Sequence, residues 1–141
     1  MKLRTIIFSS AMVLVLSAVA PIGAQNVLTG QQASRVLSFE NLDMNASKIS
    51  GVITNKTPHT IRDVQLLIQY HWLWQNERNP GHDSPGRSAI IKLDETFAPG
   101  QSHRFSFTPQ PPLPSRNDGR FMPEVDVAAF TTVVPQQVSA R

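Results

Sequence analysis

The chain contains no cysteine. That one absence excludes disulfide staples, thiolate metal sites, thiol nucleophiles, Cys-x-x-Cys redox chemistry and lipid attachment through an N-terminal cysteine. Tyrosine occurs once, and charged residues make up only 16% of the 141 positions. Lys and Arg are scattered singly, so the electrostatic footprint of a nucleic-acid or membrane-surface binder is missing. Beyond the N-terminal region no segment of ten or more residues keeps a helical apolar face, and no repeat or heptad occurs. A chain lacking all of these has to hold itself together through an apolar core made of strands.

What is present begins with an address. Met1-Lys2-Leu3-Arg4 carries two positive charges, and an uncharged, mostly apolar run follows from Thr5 to Ala20. That order is the n-region and h-region of a secretory signal, and the run is shorter than the ~20 apolar residues that span a bilayer. Ala18-Val19-Ala20 has the small-x-small form of a cleavage site but puts Pro21 after the scissile bond, whereas Ile22-Gly23-Ala24 before Gln25 avoids this. Cleavage is expected after Ala24, with an uncleaved anchor as the alternative. The product is then periplasmic or secreted, and a Gram-negative bacterial source is expected. Two charges of the formal +3 belong to Lys2 and Arg4, so the exported part is close to neutral. The expected organisation is a signal peptide over 1–24, a flexible lead-in over 25–34, one β domain over 35–134 and a tail over 135–141.

Within that domain the spacing predicts strands near 35–42, 48–54, 61–74, 88–97, 102–108 and 121–134, separated by turn residues such as Asn55-Lys56-Thr57-Pro58 and Pro99-Gly100. The third is the clearest. Val64, Leu66, Ile68, Tyr70, Trp72 and Trp74 alternate with the mostly polar Asp63, Gln65, Leu67, Gln69, His71 and Leu73, which means one face in a core and one toward water. Fourteen extended residues reach roughly 46 Å, too long for a small sandwich, so this strand must bend, bulge or carry its tryptophans to the rim. Six or seven short strands without helix predict an all-β, immunoglobulin-like antiparallel β-sandwich. The proline-rich stretch 109–120 serves as a sheet-to-sheet crossover of Greek-key type.

The succession Ile49-x-Gly51-x-Ile53-x-Asn55, then Ile61-x-x-Val64-x-Leu66-x-Ile68-x-Tyr70, then Ala98-Pro99-Gly100 followed by Phe105-x-Phe107, resembles the FxLYD-type domains of exported bacterial proteins. The resemblance covers roughly residues 36–130. It implies an immunoglobulin-like module with an exported address and no defined activity. The chain departs from that pattern at Tyr70-His71-Trp72-Leu73-Trp74 and in the insertion 75–87.

No motif predicts catalysis or a cofactor. His59, His71, His82 and His103 are not paired at metal-ligand spacing, and a site from His71, His82 and Asp83 requires loop 75–87 to fold back. Asp94-Glu95 is expected on opposite faces of a strand, and Glu124 with Asp126 on one solvated face, within the range of glycosidase carboxylate separations. The most informative surface is loop 75–87, where two Pro-Gly pairs promise a defined shape directly after two tryptophans. Trp72, Trp74, Arg78, His82, Asp83 and Arg87 are therefore the candidate binding residues, with an exposed sheet edge as an addition. The leading expectation is a non-enzymatic accessory or interaction module whose partner is an exported or envelope protein. The alternative is a small-ligand or carbohydrate binder that stacks a glycan on Trp72 and Trp74. Exposed indoles favour the second reading and buried ones oppose it. A metal-handling protein or hydrolase comes third.

Overall fold

The computed structural model describes residues 23–26 and 30–135. The expected signal peptide, apart from Gly23 and Ala24, and the tail from residue 136 lie outside the described residues. The elements in chain order are β1 (Gly23–Asn26), α1 (Gly30–Val36), β2 (Leu37–Met44), β3 (Ile49–Asn55), β4 (Thr60–Trp74), β5 (Arg87–Leu93), β6 (Ser102–Phe107) and β7 (Gly119–Val133). They form two antiparallel sheets, a four-stranded one ordered β1-β7-β4-β5 and a three-stranded one ordered β2-β3-β6. Among the described residues the protein is all-β apart from one short helix.

Both sheets contribute to one core. Ile49 and Ile53 from β3 and Phe105 from β6 pack with Ile61, Val64, Leu66, Ile68 and Tyr70 from β4 and with Val125, Val127 and Phe130 from β7. The alternation of β4 carries this arrangement: Val64, Leu66 and Ile68 are fully buried, while Gln65, Leu67 and Gln69 between them are half-buried. The strand accommodates its length by bulging. Its register against β7 shifts between Arg62 and Leu66, and Asp63 takes a left-handed conformation with φ 53°. The bulge also changes the phase of the strand, so that Ile61 and Val64 both face the core although their spacing is odd.

Three expectations change. The lead-in 25–34 holds half of β1 and most of α1, and Ala33 of that helix is 2% exposed. Four residues reading Gly-Ala-Gln-Asn show no alternation, and a seven-residue helix is too short to show a periodic face. β1 also straddles the expected cleavage bond: Gly23 and Ala24 pair with Val133 and Thr132, and Gln25 and Asn26 with Thr131 and Phe130. The fourth strand, expected over 88–97, ends at Leu93. After the break at 94–96, Phe97 meets the same edge of β4 again as an isolated bridge to Ile61, exchanging backbone hydrogen bonds of 2.7 and 2.9 Å, one residue out of step with the β5 pairing. Asp94 and Glu95 therefore lie in a connection and not on two faces of a strand.

That connection closes on Asn55, a side chain with no exposure at the end of β3. Its amide nitrogen donates to the carbonyls of His59, Phe97 and Ala98, and its Oδ1 accepts from the backbone N–H and hydroxyl of Thr57. Gly100, with φ 74°, completes the turn by donating its N–H to the Asn55 carbonyl. The pairing registers divide the molecule into two ends. The turns 56–59 and 94–101 lie at one end with the start of β1 and the end of β7. The turns 45–48, 75–86 and 108–118 lie at the other.

Candidate functional site: the loop end

β4 outruns β5. Beyond the Tyr70–Arg87 pair its edge has no strand partner, so the Trp72 N–H would be left unpaired. The loop supplies the partner: Ser84 Oγ accepts from Trp72 N at 2.8 Å. Gly86 is required for this close approach, since a Cβ there would stand 2.5 Å from the Tyr70 carbonyl oxygen. Glu77 fastens the start of the loop, its carboxylate accepting from Trp74 N at 3.3 Å while its own N–H donates to the Trp74 carbonyl at 2.9 Å. Loop 75–86 is thereby pinned along β4. Arg87 then reaches across to the proline-rich crossover, donating to the Pro111 carbonyl at 2.6 Å.

The tryptophans form a layered cluster. Trp72 is 1% exposed, meets Phe121 edge-on at 4.8 Å and meets Trp74 edge-on at 5.9 Å. Arg116 lies over both indoles, its guanidinium carbon 4.9 Å from the Trp72 ring and 5.1 Å from the Trp74 ring. Asp118 holds that guanidinium in a two-bonded fork, Nε to Oδ1 at 2.9 Å and Nη2 to Oδ2 at 2.5 Å. The same hydrogen bonding lowers the Asp118 carboxyl below its ordinary value and raises Arg116 above its own. Gly119 lets β7 start against this stack, because a Cβ there would come within 2.6 Å of the Trp72 ring.

Of the sequence-predicted residues, Arg78, His82 and Asp83 are exposed on the loop and Trp74 and Arg87 are half-buried. Trp72 is corrected: it is a core residue under Trp74, Phe121 and Arg116 and offers no face for a glycan to stack on. The metal reading is corrected as well, since among the described residues no three His, Asp or Glu side chains come together to hold an ion. His71 instead pairs with Glu124, Nε2 to Oε2 at 3.0 Å, across the outer face of the four-stranded sheet. Sequence reasoning missed Arg116, Asp118, Phe121 and Ser84. Asp118-Gly119 is a turn pair by its residue types, but nothing in the sequence shows that it sits against the tryptophans.

Beside the cluster, Ala46, Pro109, Pro112, Leu113, Pro114 and Phe121 line an open, mostly apolar recess of about 320 Å³. A shallower, polar recess joins His71 and His82 along the pinned loop. On the outer face near His71, burial and secondarily Glu124 raise the Asp126 carboxyl above the ordinary aspartate range. The native state therefore holds that proton more tightly than the unfolded chain, and stability is lost as pH rises through the raised value. Asp126→Asn should raise the thermal midpoint at pH 7 by about 1–2 °C, with the gain vanishing below about pH 4. An equal gain at both pH values would show that the carboxyl carries no such penalty.

Fold and site together define a small all-β protein whose loops converge on one end around a tryptophan–arginine stack. No described helix is long and apolar enough to cross a membrane. The sequence matches no family model and no curated protein. Among solved structures it is similar to the Salmonella enterica trimeric lipoprotein SadB, at 10% identity and a TM-score of 0.42, over 64% of this chain. The matched part spans about half of that protein, 48% of its chain.

Proposed function

We propose that this is an exported, non-enzymatic interaction module of the periplasm or cell exterior that receives a protein partner at its loop end. The observation that carries the reading is the pinned loop 75–86. Ser84, Gly86 and Glu77 hold it against β4, so Arg78, His82 and Asp83 are displayed on a fixed backbone at the end of the molecule that also carries the apolar recess. Exposed polar groups on a fixed backbone, with an apolar recess at the same end and little ordering left to complete on association, suit a protein interface. The burial of Trp72 weighs against the carbohydrate alternative. The exported address rests on the sequence of residues 1–24.

The immunoglobulin-like, Greek-key reading belongs to the same proposal. Its support is the strand order together with the connections β3–β4, β5–β6 and β6–β7, each of which passes from one sheet to the other. For the FxLYD-type reading, the support is that the positions carrying the resemblance have demanding roles. Gly51 sits where a Cβ would stand 2.8 Å from Leu42, Asn55 ties three carbonyls, and Gly100 needs its positive φ.

A photoreactive residue placed at Arg78 or at His82, with a third at Lys56 on the opposite end as reference, tests the loop end in cells that export the protein. The expected result is one adduct of the same mass from both loop positions and none from Lys56. Adducts of equal yield at all three, or at none, would overturn the reading.

A further inference from the structure

The four-stranded sheet ends on β5, whose outer edge has no strand partner among the described residues. Among the described residues, β6 is also an open edge, but its exposed side chains are the polar Ser102, Arg104 and Ser106, and two other open edges are blunted. The upper part of β7, beyond its short pairing with β1, contains Pro123, and β2 is broken by a bulge where Asn41 takes φ 51°. β5 carries neither device. All seven of its residues keep an unbroken register with β4, and its middle residue, Ile90, is 62% exposed, the highest value among the large exposed apolar side chains. A straight strand edge with a bare aliphatic side chain at its centre is a template for strand addition.

We propose that this edge pairs with β5 of a second copy of the chain, antiparallel and centred on Ile90. The choice of a second copy follows from the side chains that self-pairing sets opposite one another. Rotation about Ile90 sets Ile90 against its equivalent, Ser88 against Lys92, Ala89 against Ile91 and Arg87 against Leu93. Neither cation then faces a cation, and the outer-face residues of one strand meet outer-face residues of the other. Leu67 is the register partner of Ile90 on β4, so two Leu67 and two Ile90 side chains form one apolar row across the joined sheets. The four-stranded sheets become one continuous eight-stranded sheet. Because the pairing is antiparallel, the two loop ends point in opposite directions, so the pair can engage two partners at once. This inference is independent of what the loop end binds.

One strand pair and one short row bury less than the ~1,200 Å² of ordinary stable complexes, so the association is weak, with a Kd of about 10–100 µM. Sedimentation equilibrium of the exported form should show a reversible dimer, and Ile90→Lys should weaken it at least tenfold, about 1.4 kcal/mol. The absence of native cysteine permits a stricter test of register. Under mild oxidation Ile90→Cys should cross-link to itself. Ser88→Cys and Lys92→Cys should each fail alone and cross-link when mixed. A chain that stays monomeric at about 500 µM, or Ser88→Cys linking to itself as fast as Ile90→Cys, would overturn the proposal.

Discussion

Asn55→Ala is expected to lower the stability of the protein by about 3 kcal/mol and its thermal midpoint by about 10 °C. The side chain has no exposure, and its replacement removes three donated and two accepted hydrogen bonds at once. The loss stops short of the sum of five bonds because each carbonyl keeps another donor. The Thr57 hydroxyl, freed from Asn55, can turn to His59, Ile61 N serves Phe97, and Gln101 N serves Ala98. What cannot be recovered is the joint between the turn 56–59 and the connection 94–101, which otherwise share only a few backbone bonds. Asn55→Asp sharpens the test. It keeps the acceptor for Thr57 but turns a second oxygen toward three carbonyl oxygens, so it should be at least as destabilising as alanine. Thermal unfolding followed by circular dichroism reads both variants. An Asp variant within about 2 °C of the wild type would show that the three donated bonds contribute nothing.

Trp72→Ala is the other large effect, about 4 kcal/mol, because it empties a buried indole from a site that cannot collapse. Phe121 and Trp74 hold the ring edge-on, Arg116 covers it, and Gly119 already lets β7 approach as closely as the backbone allows. The half-buried Trp74 should cost only about 1–2 kcal/mol on the same change, since part of its surface already faces water. Arg116→Ala should leave stability within about 1 kcal/mol of wild type and shift the tryptophan emission to the red, because it uncovers Trp74 without opening the core. The opposite ranking, with Trp74 the costlier loss, would mean that the rim and not the core holds the loop end together.

Much of the fold was legible in the sequence, for reasons that also mark where legibility ended. β4, β6 and β7 were readable because each buries one face, and a period of two cannot be mistaken over that length. The length of β4 required a bend, a bulge or an overrun, although the bulge at Asp63 depends on backbone geometry that no side-chain pattern announces. β1 and α1 escaped because they are shorter than any period they could display. The end of β5 was placed at 97 because Phe97 does return to the β4 edge at Ile61, but the pairing lapses over 94–96, an interruption that no side-chain pattern announces. At the candidate site the loop, its pinning glycine and the half-buried Trp74 lay in the segment the sequence singled out. The role of Trp72 was misjudged because burial at the rim depends on what lies across from it. Arg116 and Phe121 come from beyond the proline-rich crossover, and only the packing of the two sheets brings them over the indoles.

The placement of the described chain ends has a practical consequence. β1 starts and β7 finishes at the end of the molecule away from the pinned loop, so a tag or a biotinylated extension following β7 leaves Arg78, His82 and Asp83 clear. A protein captured on a sensor surface by that route stands with its proline-lined recess and tryptophan–arginine stack facing the flowing solution. Immobilisation through lysine amines does not share this property. Lys48 borders the turn of the loop end, Lys92 lies on β5 and Lys56 lies at the opposite end, so random coupling would give a mixture of orientations, some with a candidate surface against the support.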